Sequence, residues 1–192
     1  MFARTAGVYV SKSVYVEVPL SRHTRLLHPK LVTLVVTSSG DGKVNVMPAS
    51  WAMPASVNPP LITVAISPKR FSYELLQARE EFTVNPVPVE MRSVVELTGS
   101  TSGREVDKVK ESGIQLLPAE RGSVPCIDGA LACLECRVWA QYPTGDHALV
   151  VSRVVWARAR ADAWDGATYD LRRARPLLHL GGDRYASPVG EA

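Results

Sequence analysis

Residues 31–66 read LVTLVVTSSGDGKVNVMPASWAMPASVNPPLITVAI, and three strands can be drawn from them. Leu31–Thr37 is β-branched and apolar, Ser38–Lys43 is turn chemistry, and Val44–Met47 resumes with strict alternation, which spells a hairpin. Pro48 has no N–H to donate and is expected to end that ladder. Leu61–Ile66 follows the turn at Asn58-Pro59-Pro60, and its unbroken apolar run suggests a strand buried on both faces.

Outward from this segment, helices are inserted among further strands. Ser72 is placed to cap a helix running to about Glu80, with Phe71 and Leu76 at the spacing of a hydrophobic staple. Glu81–Asn85 reads as a strand and Val89–Leu97 as a helix started after Pro88. Ser102-Gly103-Arg104-Glu105 has the form of a capping box opening a third helix that stops at Gly113. Ala132–Ala140 and His147–Arg158 read as two long strands joined through Tyr142–Asp146. The helices do not alternate with the strands, so a mainly β fold with inserted helices, a small barrel, fits better than a doubly wound sheet.

The 192 residues suit a single domain, 1–192, with an N-terminal arm over 1–19 and a less regular, Arg-rich tail over 162–192. Apolar residues make up 46% and charged residues 21%, enough to build a core without staples. No apolar run approaches the ~18 residues of a membrane span, and the N-terminal segment has no signal-peptide block, so a cytoplasmic protein with no membrane association is expected. The net charge of +3 is too small to argue for nucleic acid. The run Arg172-Arg173-Ala174-Arg175 reads as a solvated face or an interface contact. Cys126, Cys133 and Cys136 suggest a reducing compartment. The Cys133-Leu134-Glu135-Cys136 spacing lies on a strand, where residues three apart face opposite ways, so structural thiols are expected and a metal site is not.

Common catalytic motifs are absent: GxGxxG, GxxxxGK[ST] and HExxH do not occur, and Gly99–Gly103 carries Thr101 where a nucleophile elbow needs Ser. Three segments carry chemistry instead. Pro48–Pro54 brackets small residues and Trp51 between prolines, a backbone with free N–H groups on which a flat heteroaromatic could lie; it reads equally as a barrel corner plugged by Trp51. Ser67–Ser72 combines two hydroxyls, Lys69, Arg70 and a helix start, which is what a phosphate dianion needs. Ser100–Arg104 repeats that chemistry with Gly103 for close approach. Alone, either of these two is a capped helix; together with the corner they point to a phosphorylated aromatic ligand.

Five motifs in order, VNVMPASWAMPASVNPPLITVAISPKRFSYELL, SGREVDKVKESG, LACLECRVW, GDHALVVSRVV and RPLLHLGGDRY, resemble the flavin reductase-like, FMN-binding split-barrel family. The likeness is greatest to its archaeal ferric reductase, flavoredoxin and NAD(P)H:flavin oxidoreductase branch, and it covers about Leu20–Ala186. It implies a homodimeric split β-barrel holding FMN near the dimer interface. Ala49, Ser50 and Trp51 match the loop against the isoalloxazine. Ser67, Arg70 and Ser72 match the stretch that reaches the ribityl phosphate, and Ser100, Ser102, Gly103 and Arg104 match the second phosphate-side loop. His147 matches a residue on the nicotinamide side, and His179 lies in a C-terminal stretch close to the cofactor, from this subunit or its partner. The family implies hydride transfer from NADH or NADPH to flavin and onward to free flavin, ferric complexes or another acceptor, with no side-chain catalyst. It also includes electron carriers that serve a redox partner protein, and non-catalytic flavin-binding barrels.

Overall fold

The computed structural model describes residues 15–189; most of the proposed N-terminal arm, residues 1–14, lies outside them. A 3-10 helix, Leu20–Leu27, leads into β1 (Lys30–Leu31), β2 (Thr33–Ser38), β3 (Val44–Ala49), β4 (Ala52–Ser56) and β5 (Leu61–Ile66). Then follow α1 (Phe71–Arg79), β6 (Glu81–Pro86), α2 (Arg92–Ser100) and α3 (Lys108–Ser112). The chain continues through β7 (Leu116–Leu117), β8 (Cys126–Ile127), β9 (Ala132–Thr144), β10 (His147–Ala159), β11 (Leu178–Gly181) and β12 (Arg184–Ala186).

Seven strands form one antiparallel sheet in the order β3-β2-β6-β9-β10-β5-β4. Its two edges, β3 and β4, are consecutive in the chain and separated only by Ser50 and Trp51. A two-residue link cannot span an open seven-stranded sheet. The sheet therefore rolls until its edges meet, with β3 against β5 and the Ala65 N–H donating to the Trp51 carbonyl across the corner at 2.9 Å. No ladder joins β3 to β4, so the barrel has a seam.

Strand β2 is buried along its whole length, because period-2 alternation feeds two cores. Leu34 and Val36 join Val46, Val95 of α2 and Ile114 in one cluster. Val35 joins Val64, Ile66, Phe82, Val150 and Leu76 of α1 in the other. Phe82, Ile66 and Leu76 are fully buried, each contributing about 1.5–3 kcal/mol relative to exposure.

Four expectations need correction. Pro48 does not end β3 but lies inside it, opposite Leu34; β3 is an edge strand, where a proline nitrogen can face away from the ladder. Ser72 does not cap α1, which begins one residue earlier with Arg70 at the N-cap; the Ser72 hydroxyl is buried and accepts from Asn45 Nδ2 at 2.7 Å. Ser102–Glu105 is a turn, and α3 starts at Lys108, capped by the Asp107 carboxylate accepting from the Lys110 N–H. Cys133 is not a free thiol. Asp128 and Gly129 turn the chain between β8 and β9, which sets Cys126 beside Cys133 at a Cα separation of 5.9 Å, and the two form a disulfide. The Cys133/Cys136 spacing carries no information on this bond, and the pairing with Cys126 removes the free-thiol argument for a reducing compartment. Cys136 remains a buried thiol in the barrel core, its pKa pushed up to about 12 by burial and by Glu135 beside it.

Glu135 is a buried carboxylate, 2% exposed, and it accepts from the backbone N–H groups of Glu120, Arg121 and Gly122 at 2.6–2.8 Å. It fixes the 120–122 loop over the barrel wall through three charge-assisted bonds.

Candidate functional site

The seam opens into two adjoining cavities. One, of about 350 Å³, is lined among others by Asn45, Arg70, Ser72, Gly103, Arg104 and Lys108. The other, of about 150 Å³, is lined by Ala49, Ser50, Trp51, Ser67, Arg70 and His147, among others. Met47, Pro48 and Arg70 belong to both, so the two form one continuous depression.

The larger cavity is cationic and rich in hydroxyls, with Lys69, Arg70, Arg104 and Lys108 beside Ser72, Thr98, Ser100, Thr101 and Ser102. A turn in which the Ser67 carbonyl accepts from the Arg70 N–H delivers the chain to the start of α1. The N–H groups of Phe71 and Ser72 have no backbone acceptor among the described residues, whereas Tyr73 N–H donates to the Arg70 carbonyl at 3.0 Å, and the helix start carries the positive end of its dipole. Ser100–Arg104, in contrast, leaves the C-terminal end of α2, so the anion-favouring helix dipole comes from α1 alone. Arg104 is clasped to α1: it pairs with Glu74 at 2.9 Å and lies over the Phe71 ring, 5.3 Å from its centroid. Gly103 is required by space, since a Cβ there would overlap Asn45 Oδ1 and sit 3.0 Å from Phe71 Cδ1.

Two buried groups here were not singled out from the sequence. Asn45 donates to Ser72, but its other amide end has no partner. That end is a free acceptor, which a ligand hydroxyl satisfies. Lys108 is 5% exposed and donates to the carbonyls of Val46 at 3.1 Å and Thr98 at 2.6 Å. An ammonium has three N–H bonds. No carboxylate pairs with Lys108 among the described residues. Burial, with the positive charge of Arg70 nearby, lowers its pKa to about 8. A buried cation lacking a counter-ion, on the wall of a cavity, suits an anionic ligand.

The smaller cavity is built by the corner. The Thr33 hydroxyl donates to the Ala49 carbonyl at 2.9 Å, fixing the end of β3. The N–H groups of Ser50 and Trp51 have no acceptor among the described residues. The His147 ring lies 4.9 Å from that of Trp51, tilted by 36°. It is oriented by Asp146, whose carboxylate meets Nδ1 at 2.7 Å; that bond holds the Asp146 pKa below its usual range.

Of the twelve residues singled out, eleven line this depression. His179 does not, and touches it through Ser50, whose hydroxyl lies 3.1 Å from His179 Nδ1 within the same chain. The arginine run lies elsewhere; Arg172 and Arg173 both pair with Asp170. The residues missed, Asn45 and Lys108 foremost, differ in legibility. Asn45 is a polar residue alternating with Val44 and Val46, a signal that the opposite face of β3 is not core. Lys108 stands among Asp107, Lys110 and Glu111, a context that reads as a solvated helix face.

The model of the flavin reductase like domain matches residues 25–186. An uncharacterized protein of Pyrococcus abyssi is 36% identical over 148 residues, 77% of this chain and 84% of its own. The reductase subunit of a flavin-dependent monooxygenase from Mycobacterium tuberculosis is 32% identical over 123 residues, 64% of this chain and 62% of its own. The crystal structure of an FMN-binding protein from Thermus thermophilus superposes with a TM-score of 0.78 at 32% identity, covering 95% of this chain and 98% of that one.

Proposed function

The chain belongs to the flavin reductase like family, and from that premise we propose that it is an FMN-dependent oxidoreductase acting with NADH or NADPH. The observation that carries the reading is the continuous depression, cationic at one end and flat, small and aromatic at the other, which matches the two ends of a flavin mononucleotide. The Asn45 amide end without a partner fits a ligand hydroxyl, and the missing Cβ of Gly103 leaves the room that this amide occupies. When bound, FMN supplies the chemistry: it takes a hydride from the nicotinamide and passes electrons to free flavin, a ferric complex or another acceptor.

The protein's part is to hold and to polarise. Arg70, Ser72, Lys108 and the first-turn N–H groups of α1 bind the phosphate, with Ser100, Ser102 and Arg104 closing the second side. Ala49, Ser50 and Trp51 leave room for the ring, with Ser67 at the junction. The N–H groups of Ser50 and Trp51, without an acceptor among the described residues, would be preorganised donors for negative charge on a bound flavin ring and would need no rearrangement during the reaction. His147, aligned by Asp146, flanks the side where a nicotinamide would enter. Likeness to a monooxygenase reductase subunit supports a reductase whose reduced flavin serves a second component.

A homodimer is part of the same reading. Trp51, Met53 and Val57 are exposed beside the site, and Trp139 and Tyr142 on β9, an apolar surface that a second copy would cover. The decisive experiment is an absorbance spectrum of the purified protein with FMN, before and after NAD(P)H without oxygen. Bleaching of the flavin band within seconds supports the reading. A flavin that stays oxidised with both nucleotides, yet reduces through a redox protein, makes this an electron carrier. Light scattering that gives a monomer retaining all its FMN refutes the dimer.

A further inference from the structure

The small sheet β1-β11-β12 shares no ladder with the barrel sheet, and the function described above uses none of its side chains. What it does is bring His179 to the corner. The His179 ring is immobilised on three sides: edge-on to His28 at 5.1 Å, tilted against Tyr185 at 5.5 Å, and bonded through Nε2 to the Gly182 carbonyl at 2.9 Å. Its own carbonyl accepts from His28 Nδ1 at 2.8 Å. Gly181 and Gly182 both take positive φ, +104° and +61°, which turns the chain so that the Gly182 carbonyl faces back on the ring.

That carbonyl decides the tautomer. A carbonyl oxygen can only accept, so the proton of the neutral imidazole is on Nε2 and Nδ1 is a lone pair. The 3.1 Å contact between Nδ1 and Ser50 Oγ then has one direction: Ser50 donates. A serine hydroxyl has a single proton, and here it is committed to His179. Toward the cavity that it lines, Ser50 presents lone pairs only.

We propose that His179 is a positioning residue which fixes Ser50 as an obligate acceptor, so that the ring-side cavity selects a ligand edge bearing an N–H. The inference rests on the FMN reading above. In the oxidised flavin ring the single N–H is that of the imide, at N3, so the imide edge is the part that meets Ser50. A ligand that has lost this proton covers the half-buried Ser50 acceptor with an apolar group, an arrangement that discriminates between close analogues.

The test titrates FMN and N3-methyl-FMN into the wild type, Ser50→Ala, His179→Leu and His179→Gln, by quenching of flavin fluorescence. The wild type should prefer FMN over the methylated analogue by tenfold or more. Ser50→Ala should reduce that preference at least threefold by removing the acceptor. His179→Leu should reduce it likewise by freeing the hydroxyl to rotate. His179→Gln, which can donate to Gly182 and accept from Ser50, should restore it. Ser50→Ala leaves the His179 contacts to Gly182 and His28 in place, so the test stands even where His179→Leu folds poorly. Equal preference in the wild type and Ser50→Ala overturns the inference while leaving the FMN reading intact, because a methyl group excluded by shape alone is excluded from both. A wild type that binds neither ligand overturns both.

Discussion

Raising the pH from about 7 to about 9 should weaken FMN binding roughly tenfold, and Lys108 should be the cause. Lys108 has two carbonyl acceptors and, among the described residues, no carboxylate, and burial, reinforced by Arg70, brings its pKa from an ordinary 10.5 to about 8. A phosphate in the same cavity supplies the missing negative charge and raises that pKa again. Binding therefore takes up a proton wherever the free protein has lost one. With a free-state pKa of about 8 and a higher value in the bound state, each pH unit beyond 8 approaches a tenfold loss of affinity for as long as the bound form keeps its proton. The sign for folding is opposite. The unfolded chain holds its proton up to about 10.5, so the ligand-free fold gains stability as pH rises from about 8 toward that value. Fluorescence titrations with FMN, and with riboflavin as the phosphate-free control, separate the two. The FMN profile should fall above pH ~8, the riboflavin profile should stay flat, and Lys108→Met should bind FMN weakly with no pH slope. A flat FMN profile in the wild type, or the same slope in Lys108→Met, would refute the assignment.

Arg70→Ala should weaken FMN binding by about 1.5–3 kcal/mol, the scale of a charge-assisted hydrogen bond, and leave riboflavin nearly unaffected; equal losses for both ligands would move the phosphate elsewhere. Gly103→Ala forces a Cβ onto Asn45 Oδ1 and against Phe71, so thermal unfolding should show a destabilisation of about 1–3 kcal/mol together with impaired FMN uptake. The Cys126→Ala, Cys133→Ala variant opens a loop with a sequence separation of 7 and should lose about 2.5 kcal/mol on chain-entropy grounds. Because neither cysteine lines the depression, its FMN affinity should not change, which urea unfolding and a parallel titration will show.

The strands were legible because alternation and turn chemistry leave marks in sequence. Ser39–Lys43 and Gly145-Asp146 could hardly be anything but turns, although Ser38, read with the first of them, is the last residue of β2; the β2/β3 and β9/β10 ladders follow from these turns. What local signals could not supply was the meaning of Pro48, whose place inside a strand depends on β3 lying at an edge, a property of the whole sheet. The same holds for Ser72: a serine near a helix start reads as a cap until Asn45, 27 residues away, is found bonded to it. The two phosphate-side segments were visible as chemistry, yet their convergence on one cavity depends on the rolling of the sheet. Lys108 and the Cys126–Cys133 pair were hidden for a common reason. Each is defined by a neighbour brought in by the fold rather than by its own spacing.

Both rims of the barrel seam carry a proline, Pro48 in β3 and Pro54 in β4. Each rim is thus missing a donor, one residue from the end of β3 and in the middle of β4, and a foreign strand attempting to extend the sheet would find an interrupted template on either side. That protects the molecule from polymerising through its open edges, and it also restricts how two copies can meet. Association by continuing the sheet from one protomer into the next is blocked. A symmetric pair has to join through side-chain surfaces, laying barrel wall on barrel wall, and the exposed Trp51 and Met53 beside the seam would then be among the first groups to feel the other subunit.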